Sequence, residues 1–383
     1  MTHNTMSKGF LPLSAAVFIF SFINHVNFHE IFNFLQIKGF ASGEIDHIEV
    51  MQILAATIGG IILTQVINSY SRKKILIISQ TIYFASLICL ITIEYRQILL
   101  PNLMCIYLSY FVFYSVALMK FMSFFKNKII AGLIIYFSLW SFAALLAELF
   151  VKFAKDIGSY EIFTMLTFMQ SLAILSVYFF VDHTRILKSY QPHLTPLLKA
   201  IELEVITGFL IAYIIFSLYW DSELFIENSA NYSLKIEQIR TFMIVGILLS
   251  LYPAKLLIEN CNKYKINMYL VLGFLVNLTI FSELGSGKYS NIMVHITNGA
   301  ILYTLFINNI VILTEKFIEQ ELDYAITIFL SISMIGSYIG IIATDNMMET
   351  YGNSGFLISL YSIAIFFLLY YLLQFFVRRL YRK

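Results

Sequence analysis

The composition of this 383-residue chain excludes an ordinary soluble domain. Hydrophobic residues make up 59% of it and charged residues 13%, with a mean hydropathy of +0.80, whereas soluble domains are nearer half apolar and a quarter charged. The net charge is +2, and no long Lys/Arg tract offers the clustered cations that phosphates need, so we expect no nucleic-acid partner. Because a lipid bilayer can cover this much apolar surface, we predict an all-α integral membrane protein.

The ends and the cysteines give no sign of processing or of metal chemistry. A short polar start, Met1 to Gly9, leads into a long apolar run without a cleavage site, which predicts a retained first membrane helix. The spacing of Cys89, Cys105 and Cys261 suits neither a metal site nor a disulfide framework. The chain has no Gly-rich phosphate loop, and we expect no cofactor.

Twelve apolar segments follow in chain order, each near the length of about 20 residues that spans a bilayer. The polar stretch from Asp182 to Lys199 separates the sixth from the seventh. We therefore predict an N-terminal six-helix bundle over 1–182, a linker over 183–200 and a C-terminal six-helix bundle over 201–383. The predicted spans are 11–35, 48–68, 74–94, 99–122, 129–153, 160–181, 202–225, 238–258, 266–283, 289–314, 323–344 and 354–377.

The distribution of Lys and Arg predicts the orientation. The termini, the linker and the loops on their side carry 18 of the 25 Lys and Arg residues. The positive-inside rule then places both termini and the linker in the cytoplasm. We expect a multi-pass monomer in the inner or plasma membrane.

Two landmarks recur at nearly one offset. Basic turns contain Arg72 and Lys263, which are 191 positions apart, and glycines follow the fifth and eleventh helices at Gly158 and Gly352, 194 positions apart. The recurrence predicts a duplicated six-helix unit, an arrangement typical of secondary transporters.

With these features the chain resembles the major facilitator superfamily. That family's loop after its second helix reads Gly-x-x-x-Asp-Arg-x-Gly-Arg-Lys. The second basic turn is similar to this loop, with Glu259 at the acidic place and Lys263 at a basic one. Two other segments also resemble the family: 38–45 looks like its short outer loop, and 336–340 looks like its small-residue packing stripe. In the first turn the places of the signature hold Thr64, Asn68, Ser69, Ser71, Arg72 and Lys73.

The resemblance implies a role for these turns in gating. In the family, the acid and the cations of the loop hold the two halves in one state. Asn68 cannot supply that negative charge, so Glu259 is expected to carry more of the role beside Arg72, Lys73 and Lys263. The alternative is that the cations only set the topology.

The family binds its solute near mid-membrane between the halves, and polar groups at that depth are functional candidates. In the first helix, Asn24, His25 and Asn27 lie near the middle of the span. His25 can carry a proton near neutral pH, which predicts solute binding or proton coupling. The alternative is interhelical hydrogen bonding.

The fifth helix offers a carboxylate and an indole. Glu148 lies in an apolar stretch and can exchange a proton across a gate; Lys152, four residues on, could pair with it instead. Trp140 could form the wall of a pocket. Glu204, near the start of the seventh predicted span, is interpreted as a charge at a helix N-terminus.

In the tenth helix, His295 and Asn298 lie one turn apart on one face. They are further solute-site candidates, with interhelical bonding as the alternative.

We therefore predict a secondary active transporter of a small organic solute working by alternating access, with proton coupling as a hypothesis, and not an enzyme. An exporter of a drug-like or siderophore-like compound is an alternative, although the fifth helix lacks the Gly-Pro signature of the family's drug exporters. Two other classes stay open, a membrane-embedded enzyme and a sensor that binds ligand without transport.

Overall fold

The computed structural model describes residues 3–67, 69–125, 128–182, 194–218, 236–284, 288–317 and 319–381. Within these ranges the chain forms twelve long helices and no strand, which confirms the predicted all-α fold class. In chain order they are α1 His3–Ile37, α2 Ser42–Val66, α3 Arg72–Thr92, α4 Arg96–Phe124, α5 Ile129–Phe153, α6 Ser159–Phe179, α7 Leu194–Phe216, α8 Ile236–Asn260, α9 Lys263–Leu284, α10 Lys288–Lys316, α11 Glu319–Tyr351 and α12 Asn353–Tyr381.

Ten of these helices are long and apolar enough to cross a bilayer. The two others, judged by their described residues, are α2 and α7, and α2 contains a shorter apolar stretch, Ile53–Val66. Large apolar side chains such as Phe153, Phe168 and Leu373 are more than half exposed. Such exposure would be unfavourable in water but is expected against lipid, because acyl chains solvate these side chains. The chain is a multi-pass integral membrane protein.

The chain divides into two compact units. Unit 1 comprises Met1–Lys199 and Phe317–Ser331, and unit 2 comprises Ala200–Lys316 and Ile332–Lys383. The start of α11 groups with unit 1 because Asp323 pairs with Arg72 on α3 and Ser331 packs against Gly60 on α2.

The helices of the two units pack in a repeated pattern. In unit 1, α4 packs on α2 and α3, and α3 packs on α6. In unit 2, α10 packs on α8 and α9, and α9 packs on α12. Each of these three contacts in unit 2 thus repeats one made six helices earlier. Unit 1 also packs α1 against α5 and α6, and this contact positions the site described below.

Glycine allows the closest helix contacts and two of the turns. A Cβ added to Gly246 on α8 would lie 2.0 Å from the carbonyl oxygen of Ile296 on α10, and one added to Gly299 on α10 would lie 2.1 Å from that of Met243 on α8. Such close approach of two backbones is typical of small residues in membrane helices. Gly39 and Gly352, in the turns after α1 and α11, have φ of 84° and 60°, values that L side chains rarely adopt.

Candidate functional site

The α1–α5 contact brings two histidines, an indole and a carboxylate together inside unit 1. His25 and His29 lie one turn apart on α1, and Trp140 and Glu148 lie on α5. Because residues four apart share one face of a helix, the two histidines project from the same side of α1. We call these four residues the α1–α5 polar face.

Two members of this face, a histidine and a carboxylate, are hydrogen-bonded. His29 Nε2 lies 2.8 Å from Glu148 Oε1, and the Glu148 side chain is 3% exposed. The sequence analysis named Glu148 as a proton-exchange candidate and gave pairing with Lys152 as the alternative; Lys152 is exposed, and the described contact of Glu148 is with His29. His29 was missed, although its i+4 spacing from His25 was a usable signal.

Two contacts position His25, the other histidine of this face. Its Nδ1 lies 2.7 Å from the backbone oxygen of Ser21, and its ring meets Trp140 edge to face with centroids 4.9 Å apart. A carbonyl oxygen can only accept, so Nδ1 carries the hydrogen. In the neutral ring Nε2 therefore holds a lone pair. Of the predicted residues, His25, Trp140 and Glu148 meet on one face.

Asn24 and Asn27, also predicted from the sequence, are both buried on α1. Asn27 Nδ2 donates to the hydroxyl of Tyr83 on α3 at 3.3 Å, so this residue joins α1 to α3, as the interhelical alternative expected. Asn24 is 8% exposed, and its Oδ1 has no hydrogen-bond partner among the described residues. A buried acceptor without a partner is unfavourable, which keeps Asn24 a candidate for contact with a solute.

In unit 2, His295 and Asn298 point towards α9. Asn298 Oδ1 accepts from Asn277 Nδ2 at 2.6 Å, and the His295 ring lies 5.8 Å from that of Phe281. Both contacts are interhelical, and interhelical bonding is the alternative to solute binding that the sequence analysis gave for these two residues. A role in solute binding therefore stays a prediction for this pair.

A second polar cluster of unit 2 was not predicted. Asn267 on α9 donates to the Tyr371 hydroxyl on α12 at 2.6 Å, and Thr207 on α7 meets the same hydroxyl at 2.8 Å. Asn308 on α10 donates to Asn267 Oδ1 at 2.7 Å. The side chains of Thr207, Asn267 and Asn308 are fully buried. With Tyr371 they join α7, α9, α10 and α12.

In the first basic turn, the cations are held by carboxylates distant in sequence. Arg72, at the start of α3, pairs with Asp323 at the start of α11. Lys73 donates its backbone N–H to Asp182 Oδ2 at 3.1 Å, and Lys120 donates to Asp182 Oδ1 at 2.7 Å. Asn68 lies outside the described residues.

In the second basic turn, the partner of Lys263 is Glu315, at 2.8 Å. Glu259, which was expected to carry the charge missing at Asn68, is exposed. A gating role for either turn is not tested by these contacts and stays a prediction.

The interpretation of Glu204 as a helix N-terminal charge is wrong. Helix α7 begins at Leu194, so Glu204 lies in its third turn, beyond the reach of the N-terminal dipole. Its side chain is fully buried and pairs with Lys316 of α10, with Nζ 2.9 and 2.8 Å from the two carboxylate oxygens.

Metal binding finds no support in the part of the chain that the structure describes. No three His, Cys, Asp or Glu side chains there are grouped so that they could hold an ion. Trp220, the other tryptophan of the chain, and most of the predicted linker lie outside the described residues.

Comparison with known proteins agrees with the helix pattern. No protein-family model matches the sequence. The chain is 28% identical over 366 residues to the uncharacterised protein RP255 of Rickettsia prowazekii (strain Madrid E), covering 96% of each.

Two crystal structures of the Escherichia coli fucose:proton symporter FucP share the fold. A variant of FucP matches with a TM-score of 0.72, and FucP in the outward conformation, described as a major facilitator superfamily transporter, with 0.75. In both cases 13% of residues are identical, and the match covers 94% of this chain and 97% of the other. The predicted superfamily fold is confirmed.

Proposed function

From the major facilitator superfamily fold of this chain, we propose that it is a secondary active transporter. It moves a small organic solute across the cell membrane by alternating access, and proton movement is coupled to that of the solute. The observation that carries the proposal is the buried His29–Glu148 pair inside a bundle of membrane helices. Ionisable side chains at such depth are costly and typically mark ion or solute pathways.

The pair supports proton coupling through its chemistry. Histidine gains or loses a proton near physiological pH, and a carboxylate can hold a proton when its partner leaves. His25, one turn from His29, is within electrostatic reach of both. Proton binding at this face would therefore change the charge that a solute meets. A FucP-like symport, in which solute and proton move together, is the form of coupling we propose.

The basic turns support the orientation and a gating role. With the termini and the linker in the cytoplasm, Arg72 and Lys263 lie at the cytoplasmic ends of α3 and α9. Helix α11 runs from unit 1 through Ser331 into unit 2, so the Arg72–Asp323 pair ties α3 to a helix that both units share. We propose that this pair stabilises one conformational state of a monomeric protein, whose halves correspond to 1–182 and 201–383 around the linker 183–200.

The gating role is tested by charge reversal. Arg72→Asp and Asp323→Arg should each slow transport, because each leaves a buried charge beside one of the same sign. The double variant should recover most of the rate, because the pair is restored with opposite polarity. Equal impairment of the double and single variants would show that the pair has no such role.

The transport function is tested by uptake into proteoliposomes. Vesicles containing the purified protein are offered a metabolite extract, with and without an inward proton gradient, and their contents are read by mass spectrometry. We expect a solute that is enriched only when protein and gradient are both present. Accumulation of the solute above its external concentration without the gradient would contradict proton coupling, and no entry of any solute in either vesicle orientation would contradict transport.

A further inference from the structure

The carboxylate of Glu148 has two basic side chains near it, and only one of them holds it. His29 on α1 lies 2.8 Å from Oε1. Lys152 lies four residues after Glu148 on α5, the spacing at which a glutamate and a following lysine meet on one helix face. Among the described residues, no partner takes the Lys152 ammonium or the second oxygen of Glu148. The carboxylate is thus held from α1, while a cation on its own helix is not engaged.

The geometry of α5 brings Lys152 towards Glu148. Side chains of an α-helix lean towards its N-terminus, so the stem of Lys152 extends back over the turn that carries Glu148. Lys152 belongs to the last turn of α5 and is exposed, whereas the Glu148 side chain is 3% exposed. Rotation about the side-chain bonds of these two residues would bring the ammonium to the carboxylate without any movement of the backbone.

The charge of His29 decides which partner the carboxylate favours. A protonated His29 offers a full positive charge together with its hydrogen bond, and bonds of this kind are the strong ones. A neutral His29 can still donate a hydrogen bond but has no charge, whereas the ammonium of a lysine has a full charge and three donors. Loss of the proton from His29 to water therefore shifts the preference of Glu148 towards Lys152.

We propose that Glu148 changes partners during transport, holding His29 while the coupled proton is bound and Lys152 once the proton has left; this inference rests on the transport function proposed above. Lys152 is then a positioning residue, which keeps the carboxylate paired while His29 is neutral. A buried carboxylate without a counter-charge is costly, so Lys152 favours release of the proton. The tie that this pair makes between α1 and α5 exists only in the proton-loaded state.

Other titratable groups lie on the helices that pack against this pair. A double-mutant cycle cancels the effect of such groups on either side chain alone, so a cycle between Glu148 and Lys152 reports the interaction of those two. In this half of unit 1 the groups are His25 and Glu30 on α1, Tyr160 and Glu161 on α6, Arg96 and Tyr107 on α4, and Glu44, Asp46, His47 and Glu49 on α2, whose side chains the structure does not describe.

Double-mutant cycles at two pH values test the change of partner. Glu148→Gln, Lys152→Gln and the double variant are compared with the wild type by reversible unfolding in mixed micelles. The pH values are about 5.5 and about 8.5, on either side of the ordinary histidine pKa of about 6.5. Because Glu148 is buried, we expect a coupling at the upper end of the range for such pairs, about fivefold in the folded-to-unfolded ratio, at the higher pH and less than about 1.5-fold at the lower pH.

Replacing His29 removes the competing partner. In the His29→Gln background, the coupling of Glu148 with Lys152 should be about fivefold at both pH values. The control is a cycle of Glu148 with Lys155, an exposed lysine seven positions away, which should show no coupling at either pH. Wild-type coupling that is equal at the two pH values, absent at both or larger at the lower one overturns the proposal, and so does a pH-dependent coupling in the His29→Gln background.

A single substitution keeps the test valid if Glu148→Gln does not fold. Lys152→Gln alone should lower the folded-to-unfolded ratio about fivefold at the higher pH and leave it nearly unchanged at the lower pH. Lys152→Arg, which keeps the charge, should restore the wild-type ratio at both, and Lys155→Gln should show no such dependence on pH. A loss that is the same at both pH values, or that Lys152→Arg does not restore, overturns the proposal.

Transport measurements separate this inference from the proposed function. Lys152→Gln should slow proton-driven net uptake severalfold and leave exchange of solute at equal concentrations intact, because only net uptake needs the protein to return without its proton. Lys155→Gln should leave both unchanged. Equal slowing of uptake and exchange by Lys152→Gln overturns its role in proton release. A pH-dependent coupling in a protein that moves no solute supports the change of partner and refutes transport.

Discussion

Removing the His29–Glu148 pair should destabilise the protein through a measurable coupling between the two side chains. The atoms are 2.8 Å apart and the carboxylate is 3% exposed. When His29 is protonated, the Coulomb attraction at an effective dielectric constant of about 20 is about 6 kcal/mol, and much of it is offset by the loss of hydration; when His29 is neutral, only its hydrogen bond to the carboxylate remains. A hydrogen bond to a charged group contributes about 1.5–3 kcal/mol net, so we expect a coupling energy of about 2 kcal/mol.

A double-mutant cycle measures that energy. Glu148→Gln, His29→Gln and the double variant are compared with the wild type by reversible unfolding in mixed micelles of increasing denaturing detergent. Each single variant should lose stability, because it leaves a buried side chain without its hydrogen-bond partner. The double variant should be more stable than the sum of the two losses predicts, by about 2 kcal/mol, or roughly 30-fold in the folded-to-unfolded ratio.

The reasoning would be refuted by simple additivity. If the double variant loses the sum of the two single losses within about 0.5 kcal/mol, the two side chains do not interact. The pair would then not hold α1 to α5, and it would no longer support the proposed proton coupling.

Two further predictions concern packing and a buried charge in unit 2. Gly246→Ala should lower the thermal midpoint and the yield of folded protein, because the new Cβ would lie 2.0 Å from a carbonyl oxygen. The control is Gly273→Ala, which should be neutral or stabilising because its Cβ would meet its nearest atom at 3.6 Å. Equal effects of the two variants would contradict the close contact of α8 with α10. Glu204→Leu should cost about 1–3 kcal/mol, because it removes the carboxylate from Lys316, which is 27% exposed and still donates to the backbone oxygen of Ala200. The same change at the exposed Glu202 should cost little, and similar unfolding curves for both variants would show that the ion pair adds no stability.

The helices could be predicted from the sequence because a bilayer imposes a length and a hydropathy on every spanning segment. Within the described residues, their number and order match the prediction. The ends were less accurate: α11 starts at Glu319 and ends at Tyr351, beyond the predicted 323–344, because its polar ends continue the helix past the apolar stretch. Helix α7 starts at Leu194, before the predicted 202, for the same reason.

The site could be predicted only in part. Glu148 and His25 were found because a polar side chain in an apolar stretch is conspicuous. Their partners were not found, because His29 is separated from Glu148 by 119 positions and Asp323 from Arg72 by 251. Pairing over such distances depends on which helices pack together, and hydropathy alone carries no information about that.

Proton movement driven by the solute tests the central claim most directly. Weakly buffered proteoliposomes containing an internal pH indicator are given the solute identified by uptake, with wild-type protein or Glu148→Gln. We predict that solute entry through the wild-type protein acidifies the interior without an imposed gradient, and that Glu148→Gln exchanges solute across the membrane without any pH change. Solute entry through the wild-type protein with no change in internal pH, or an undiminished change with Glu148→Gln, would contradict the account.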